Sequence, residues 1–507
     1  MKRIPFLSLG LLVAACGGAP APLTPPPAAP PPAPTTVATT PAAPAPTTPD
    51  AAFRESPPAP GPAAVFVAPK IVEGKLKNGI RVLLVERHEL PIVSVRIVLK
   101  SGASDLMGER PEVMTFAGAM LEQGTKKRSA LELSDAFDAI GATHGAYIGQ
   151  DSGGADVKVL TQELDKGLDL LADVVQNPAF PDAEIERLRA RWLGWSQQQR
   201  SQPGTLLQSA LSTSLYGAAH PYGKPPILKE EQIKKITKAD VEKGYLRAFA
   251  AGNAAICVAG DITKDALLPK LEAAFGAWKG AATARARITP PVPAKDAPRL
   301  VIVDRPGAPQ SQVQVAEVGV PFSAPDRDAI VVMNAILGGM FSSRINLNLR
   351  EKHAYTYGAR SGFSMRHGAG PFSAGGAIIA DKTAPAIHEL FTEISGLRDA
   401  EVTAEELSGA KESIRLAMPA RFETVSAVTD ALADLVVHDL KNDEYEKRPA
   451  RIDAITAADV KKAAQAHLHP QKMKVVVVGD RKALGESLEA LHMGAAEVRD
   501  AYGDIVK

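Results

Sequence analysis

The chain has 507 residues, of which 45% are hydrophobic and 23% are charged. This length is enough for about three domains, and the composition is that of an ordinary globular protein. The 58 basic and 57 acidic side chains leave a formal net charge of +1. That balance argues against a nucleic-acid partner and against an anionic membrane surface as partner.

The first 16 residues have the features of a lipoprotein signal peptide. A basic start precedes an apolar run over residues 6–13, which is far shorter than the roughly 20 residues of a transmembrane helix. The run ends in VAAC, which resembles a bacterial lipobox, so we expect Cys16 to be lipidated and to anchor the chain. An ordinary signal peptide cleaved nearby is the alternative. Gly17 after the cysteine favours the outer membrane of the cell envelope, facing the periplasm.

Residues 17–66 consist mainly of Pro, Ala and Thr. Such a segment has little apolar bulk to bury, so we expect a disordered linker with polyproline II character that tethers the folded part to the membrane. The second cysteine, Cys257, lies in the apolar run AAICVAGD. It is expected to be a buried core residue.

Strand and helix patterns begin after this linker. RVLLVER and VSVRIVLKSG predict strands, EVMTFAGAM predicts a helix from residue 112, and Leu133, Phe137 and Ile140 have the spacing of a second helix. Further along, RLVIVDRPG and QVQVAEVGV predict strands and RDAIVVMNAILGG predicts a helix. The later elements repeat the order of the earlier ones.

An internal repeat supports a duplication. The segments that begin at residues 236 and 455 align without a gap at a separation of 219 positions. The second residue of each is a threonine suited to cap a helix, Thr237 or Thr456. We therefore predict an α+β chain with two homologous domains, residues 67–282 and 297–507. A Pro-containing linker, residues 283–296, joins them.

These segments together resemble the insulinase-like M16 zinc peptidases, of the M16B type. The resemblance covers about residues 70–485 and includes LKNGIRVLLVE, MLEQGT, AHPYGKP and ILGGMFSSRINLNLREKHAYTYGARS. It implies two M16-type α/β domains of the LuxS/metallohydrolase-like kind. The first would be the N-terminal type of domain, which carries the metal in active members, and the second the C-terminal type.

The metal motif of that family is altered in this chain. Active members carry His-x-x-Glu-His on the first helix, where both histidines bind zinc and the glutamate activates water, and a third ligand, Glu, about 76 residues further on. Alignment on the shared MLxxGT places these positions at Thr115, Gly118, Ala119 and Trp195. Thr115, Ala119 and Trp195 are not suitable ligands, and Gly118 has no carboxylate to activate water. We therefore expect this chain to bind no metal and no other cofactor. His467 and His469 are the one closely spaced histidine pair, and they lack a third ligand.

A second family motif is retained. Arg350 and Tyr357, in LREKHAYTYGAR, stand seven residues apart. In the family, an Arg and a Tyr with this spacing reach from the second domain towards the zinc site, bind the substrate backbone and help to stabilise the oxyanion. The alternative is that Arg350 pairs locally with its neighbours and Tyr357 fills the core.

The resemblance implies a division of labour. Some bacterial members pair a zinc-bearing chain with a partner that lacks the metal motif but keeps the Arg/Tyr pair. We expect this chain to be such a subunit, a pseudoenzyme when alone, that forms a heterodimer or larger assembly with a zinc-bearing M16 partner and acts on peptides. Two alternatives remain: a non-catalytic scaffold or binding subunit of an envelope complex, and an independent metallopeptidase with an unrecognised site.

Overall fold

The computed structural model of the protein describes residues 66–105, 110–292 and 297–506. The lipidation predicted at Cys16, the signal peptide, nearly all of the Pro/Ala/Thr-rich linker and residues 293–296 of the second linker lie outside the described residues. The described part contains two six-stranded sheets with helices packed against them. This agrees with the α+β class and the two domains expected from the sequence.

The first half of the described chain forms the first sheet. Its strands are β1 (Val72–Lys75), β2 (Arg81–Glu86), β3 (Ile92–Leu99), β4 (Thr143–Ile148), β5 (Gly153–Leu160) and β6 (Ala254–Gly260). They are ordered β1-β2-β6-β3-β5-β4, and only β2 and β6 are parallel neighbours. The helices of this half are α1 (Glu112–Met120), α2 (Ala130–Ala139), α3 (Leu164–Gln176), α4 (Asp182–Gln199), α5 (Pro203–Tyr216), α6 (Glu230–Lys234), α7 (Lys238–Ala248) and α8 (Lys264–Phe275).

The second half repeats this arrangement. Its strands are β7 (Leu300–Asp304), β8 (Gln310–Val318), β9 (Ala359–Phe363), β10 (Pro371–Ile379), β11 (Lys474–Gly479) and β12 (Glu497–Arg499), ordered β12-β7-β11-β8-β10-β9. Its helices are α9 (Arg327–Asn334), α10 (Arg344–Asn346), α11 (Thr383–Asp399), α12 (Ala404–Ala417), α13 (Val425–Val437), α14 (Glu444–Asp453), α15 (Ala457–His467) and α16 (Arg481–Glu489). A π-helical turn, Leu347–Lys352, continues α10.

The duplication is visible in the spacing of the strands. β7 begins 219 positions after β2, since residue 300 corresponds to residue 81, and β8 begins 218 positions after β3. Thr237 and Thr456 cap α7 and α15 as predicted, because each hydroxyl accepts a hydrogen bond from the third N–H of its helix, at 3.2 Å and 3.1 Å. The outermost strands differ: β1 is the first strand of its sheet along the chain, whereas β12 is the last strand of its sheet.

Each half covers the outer face of the other half's sheet with one helix. α13 lies on the first sheet and α5 lies on the second. Both contacts are apolar and buried. On the first sheet they join Val428, Ala431, Leu432 and Leu435 to Leu83, Val85, Val98 and Cys257. On the second they join Leu206, Leu207, Ala210 and Leu211 to Val301, Val303, Val476 and Val478. Cys257 is thus in the core, as its apolar surroundings predicted.

Asp151 links the two halves through hydrogen bonds. Its carboxylate accepts from the hydroxyls of Ser104 at 2.7 Å and Tyr222 at 2.9 Å, and from the backbone N–H of His367 at 3.2 Å. The Tyr222 hydroxyl also accepts from the N–H of Gly368 at 2.9 Å. Burial, together with the Asp151 carboxylate, raises the pKa of Tyr222. The phenol therefore stays protonated and keeps donating to Asp151 over the physiological pH range.

The helical segment Arg327–Lys352 is long and apolar enough to cross a membrane by length and composition. More than half of its apolar window, 56%, is buried inside the protein. Ile330, Met333 and Leu337 of this segment belong to the core of the second half. It is therefore described best as a core helix.

Candidate functional site

Helix α1 positions the residues that align with the family's metal motif. It contacts α7, α4 and β4, and its Phe116 packs edge-on against Trp192 of α4, with ring centroids 4.9 Å apart. Phe116 is fully buried, whereas Thr115 is exposed and Ala119 is half-buried. Because Thr115 and Ala119 are four residues apart, they lie on one face of the helix.

That face lines a cavity of about 710 Å³. Trp195, on α4, lines the same cavity and leaves 45% of its surface exposed. The structure thus brings together three of the four positions that the alignment assigned to the metal motif: Thr115, Ala119 and Trp195. Much of the remaining wall is apolar and comes from Leu188, Trp192, Pro221, Pro225, Pro226 and Leu228.

The fourth position, Gly118, faces β4 rather than the cavity. A Cβ atom added there would lie 2.3 Å from the backbone nitrogen of Ile148 and 2.9 Å from the backbone carbon of Tyr147. α1 and β4 can approach this closely only because residue 118 has no side chain. A glutamate at this position would require β4 to move.

The residues at this site do not fit zinc. A threonine hydroxyl, an alanine methyl and an indole give no set of imidazole, thiolate or carboxylate ligands. Over residues 66–105, 110–292 and 297–506, no group of three or more His, Cys, Asp or Glu side chains is placed to hold a metal ion. The two histidines of the closely spaced pair are engaged separately, His467 with Asp326 and His469 with Glu317. His144, on β4, pairs with Glu122.

Arg350 lies in the π-helical turn after α10. Its Nε is 3.2 Å from a carboxylate oxygen of Glu351, and its guanidinium lies 4.8 Å from the centroid of the Phe341 ring. The local pairing considered from the sequence is therefore present. Phe341 itself is 62% exposed, so this cation–π contact stands at the protein surface.

Tyr357 lies in the turn that leads into β9, and 90% of its surface is exposed. The alternative that this tyrosine fills the core is wrong. Thr356 fixes the turn: its hydroxyl donates to the carbonyl of Ala377 at 2.6 Å and accepts from the N–H of Gly358 at 3.0 Å. Ala354 has a φ of +54°, a left-handed conformation that ends the helical turn carrying Arg350.

Arg350 and Tyr357 are absent from the lining of the cavity beside α1. Within one chain, the retained motif and the altered motif therefore form separate surfaces. Three residues of these surfaces were not predicted from the sequence. Trp192 and Thr356 belong to no motif that indicates a function, and Phe341 lies in the GGMFSSR segment, where no role was predicted for it.

The duplicated sheets and the position of α1 define an M16-type peptidase fold. Residues 81–225 match the family model described as insulinase (peptidase family M16), and residues 235–414 match the model described as the peptidase M16 inactive domain. The chain belongs to the insulinase-like M16 peptidase family.

Relatives over most of the chain carry peptidase names. An uncharacterized zinc protease of Rickettsia felis is 27% identical over 342 residues, which cover 67% of this chain and 81% of that protein. An uncharacterized zinc protease of Mycobacterium bovis is 26% identical, covering 85% of this chain and 99% of that protein.

Solved structures support the same fold. The peptidase M16 inactive domain from Pseudomonas fluorescens is 27% identical, with a TM-score of 0.75 over 81% of this chain and 98% of that chain. A protease from Helicobacter pylori has a TM-score of 0.72 at 22% identity, over 81% of this chain and 99% of that chain. At that identity, the second comparison describes the fold alone.

Proposed function

We propose that this chain is the metal-free subunit of a two-chain M16 peptidase. It supplies Arg350 and Tyr357 to a peptide bound at the active site of a zinc-bearing M16 partner, which provides the metal and the activated water. One observation carries the proposal. Three of the four metal-motif positions still line one cavity but hold side chains that cannot bind zinc, while Arg350 and Tyr357 stand on a separate, accessible surface.

Arg350 and Tyr357 can both donate hydrogen bonds to a carbonyl oxygen that gains negative charge. A guanidinium presents five N–H donors in a planar fork, and a phenol presents one O–H donor. Glu351 engages the Nε of Arg350, which leaves the terminal nitrogens to contact a substrate. Closure of a partner over this surface would exclude water and strengthen both contacts.

We also propose that the chain is anchored to the outer membrane through Cys16 and faces the periplasm. The VAAC sequence and the Pro/Ala/Thr-rich linker after it support this. Cys16→Ser should move the protein from the membrane fraction to the soluble fraction. Unchanged membrane retention of that variant would show that the residue is not the anchor.

The proposed activity is tested by reconstitution with an M16 protein that carries intact His-x-x-Glu-His. Alone, the chain should cleave no peptide. Arg350→Ala and Tyr357→Phe should each lower the turnover of the complex by on the order of a hundredfold, equivalent to about 3 kcal/mol, and should leave assembly intact. Turnover is measured with a quenched fluorescent peptide, and assembly by analytical ultracentrifugation.

Matched controls are available on the same chain. Arg360→Ala removes an exposed arginine of β9, and Tyr502→Phe removes a phenol near the C-terminus. Both controls should turn over at the wild-type rate. If the Arg350 and Tyr357 variants also assemble and cleave at that rate, the pair is structural and the non-catalytic scaffold is the better description.

A further inference from the structure

We propose that the cavity between α1 and α4 binds, without hydrolysing it, a ligand that has an apolar body and a carboxylate group. This site is on the first half of the chain and does not depend on the peptidase role proposed for Arg350 and Tyr357. The proposal rests on the shape of the cavity, on its wall and on the charges at its edge.

The cavity has the size and surface of a small-ligand site. Its volume of about 710 Å³ falls within the roughly 300–1,000 Å³ of typical ligand pockets. The indoles of Trp192 and Trp195 face it together with Pro225, Pro226 and Leu228. Trp195 keeps 45% of its surface in water, and an apolar ligand stacked on the indole would remove that surface from solvent.

The charges that line the cavity favour an anion. Arg191 and Lys224 both line it, and neither side chain has a hydrogen-bond or ion-pair partner among the described residues. Glu112 also belongs to the lining, but its side chain is only 4% exposed and pairs with Arg110 at 3.2 Å. Within the described part of the lining, the cations therefore set the accessible charge. The guanidinium fork of Arg191 matches a carboxylate with two parallel hydrogen bonds.

Among the residues that the structure describes, the cavity wall lacks the groups that would cleave such a ligand. The hydroxyl of Thr115 and the methyl of Ala119 occupy the positions where active relatives hold a metal, and neither activates water. Glu112, the carboxylate in the lining, is buried and engaged by Arg110. A bound ligand would therefore be released unchanged.

Two sources share this chemistry: a small free carboxylate, and the C-terminal residue of a peptide. The test is isothermal titration calorimetry on the full chain without a partner. The probes are 4-phenylbutyrate, its amide, and the peptide acetyl-Ala-Ala-Phe as free acid and as C-terminal amide. Each acid should bind at least about tenfold more tightly than its amide, because charge-assisted hydrogen bonds are stronger than neutral ones. The ranking of the two acids assigns the source.

Three variants test the location. Arg191→Gln combined with Lys224→Gln should abolish the preference for acid over amide. Ala119→Phe should fill the cavity and prevent binding of every probe, and Trp195→Ala, at a more exposed position, should weaken all of them by about tenfold. Lys126→Gln combined with Lys127→Gln removes two exposed cations elsewhere in the first half and should change nothing.

Several outcomes would overturn the proposal. It fails if no probe binds the wild-type chain at millimolar concentration, or if the amides bind as tightly as the acids. It also fails if a folded Ala119→Phe variant binds like the wild type. Should that variant misfold, full retention of binding by Trp195→Ala would be equally decisive. None of these measurements involves peptide cleavage, so failure here leaves the proposed peptidase role untouched.

Discussion

At residue 118 the backbone of α1 meets the backbone of β4, and a glycine makes that contact possible. The same residue aligns with the glutamate that activates water in active M16 peptidases. The substitutions at this site therefore affect packing as well as chemistry. β4 occupies the space that a side chain at residue 118 would need.

We expect Gly118→Ala to lower the free energy of unfolding by about 1–3 kcal/mol, the usual cost of forcing an extra methyl into a packed contact. Gly194→Ala is the matched control, because a Cβ at this position on α4 meets no atom within 4 Å. Alanine there should stabilise the helix by up to about 1 kcal/mol. Urea unfolding of both variants measures the difference, and equal effects would contradict the proximity of α1 and β4.

We expect the purified chain to hold no stoichiometric zinc after dialysis, as measured by inductively coupled plasma mass spectrometry. Thr115→His, Gly118→Glu and Ala119→His together should not create a zinc site. Trp195 would still occupy the place of the third ligand, and the new glutamate would collide with β4. One tightly bound zinc per wild-type chain would refute the assignment of these positions.

At the scale of elements, the segment that carries Arg350 is held at several points. Arg344 of α10 binds Glu406 of α12 through two hydrogen bonds, of 2.6 Å and 2.8 Å. Thr356 fixes the turn that contains Tyr357 through its hydrogen bond to the carbonyl of Ala377. The side chains of Arg350 and Tyr357 therefore project from a backbone that is anchored on both sides. The proposed contact with a substrate carbonyl would need this preorganisation.

The Arg344–Glu406 pair should make stability depend on pH. The Arg344 guanidinium holds the pKa of the Glu406 carboxyl below its ordinary value. The folded state thus gains stability that is fully present above the unfolded pKa of about 4.3, and is lost as the pH falls through the lower folded pKa.

Glu406→Gln should therefore cost about 1 kcal/mol at pH 7, and its melting temperature should approach that of the wild type as the pH falls below about 4. Thermal unfolding followed by circular dichroism from pH 3 to pH 7 measures this. Glu405→Gln changes an exposed neighbouring carboxylate. Its melting temperature should follow that of the wild type at every pH. A constant gap between Glu406→Gln and the wild type would contradict the linkage.

Local sequence signals were sufficient for several elements and insufficient for others. The caps at Thr237 and Thr456 and the alternating strand β3 were predictable because their signals depend on near neighbours. The covering of each sheet by a helix from the other half was not, since helix amphipathicity shows that a face is buried but not against what. The cavity beside Trp195 depends on the packing of α4 against α1, which no spacing in the sequence records.

At the scale of the whole molecule, α5 and α13 make the two halves depend on each other. Removing either half would expose the outer face of one sheet and the apolar side of one helix. Large exposed apolar faces favour aggregation, so neither half should be stable alone. The described part of the chain should therefore unfold in one cooperative transition.

Leu435→Ala tests this dependence, because Leu435 belongs to α13 of the second half but is buried on the first sheet. The variant should lose about 2–5 kcal/mol of unfolding free energy. Hydrogen exchange should become faster in the strands β3 and β6 as well as in α13. Leu416→Ala, at a residue that is 55% exposed, should have little effect. Faster exchange confined to the second half would show that the halves are independent.

The reciprocal placement of these two helices also bears on how such a chain could arise. A single ancestral half with the same topology would leave the outer face of its sheet exposed, unless the helix that corresponds to α5 and α13 in a second copy packed on that face. Two copies that exchange helices in this way form a closed, two-fold symmetric pair. The 219-residue repeat between β2 and β7 is thus what gene fusion of an obligate homodimer would leave behind. Once the copies were joined, each could diverge, and the metal motif and the Arg/Tyr motif could be lost or kept independently.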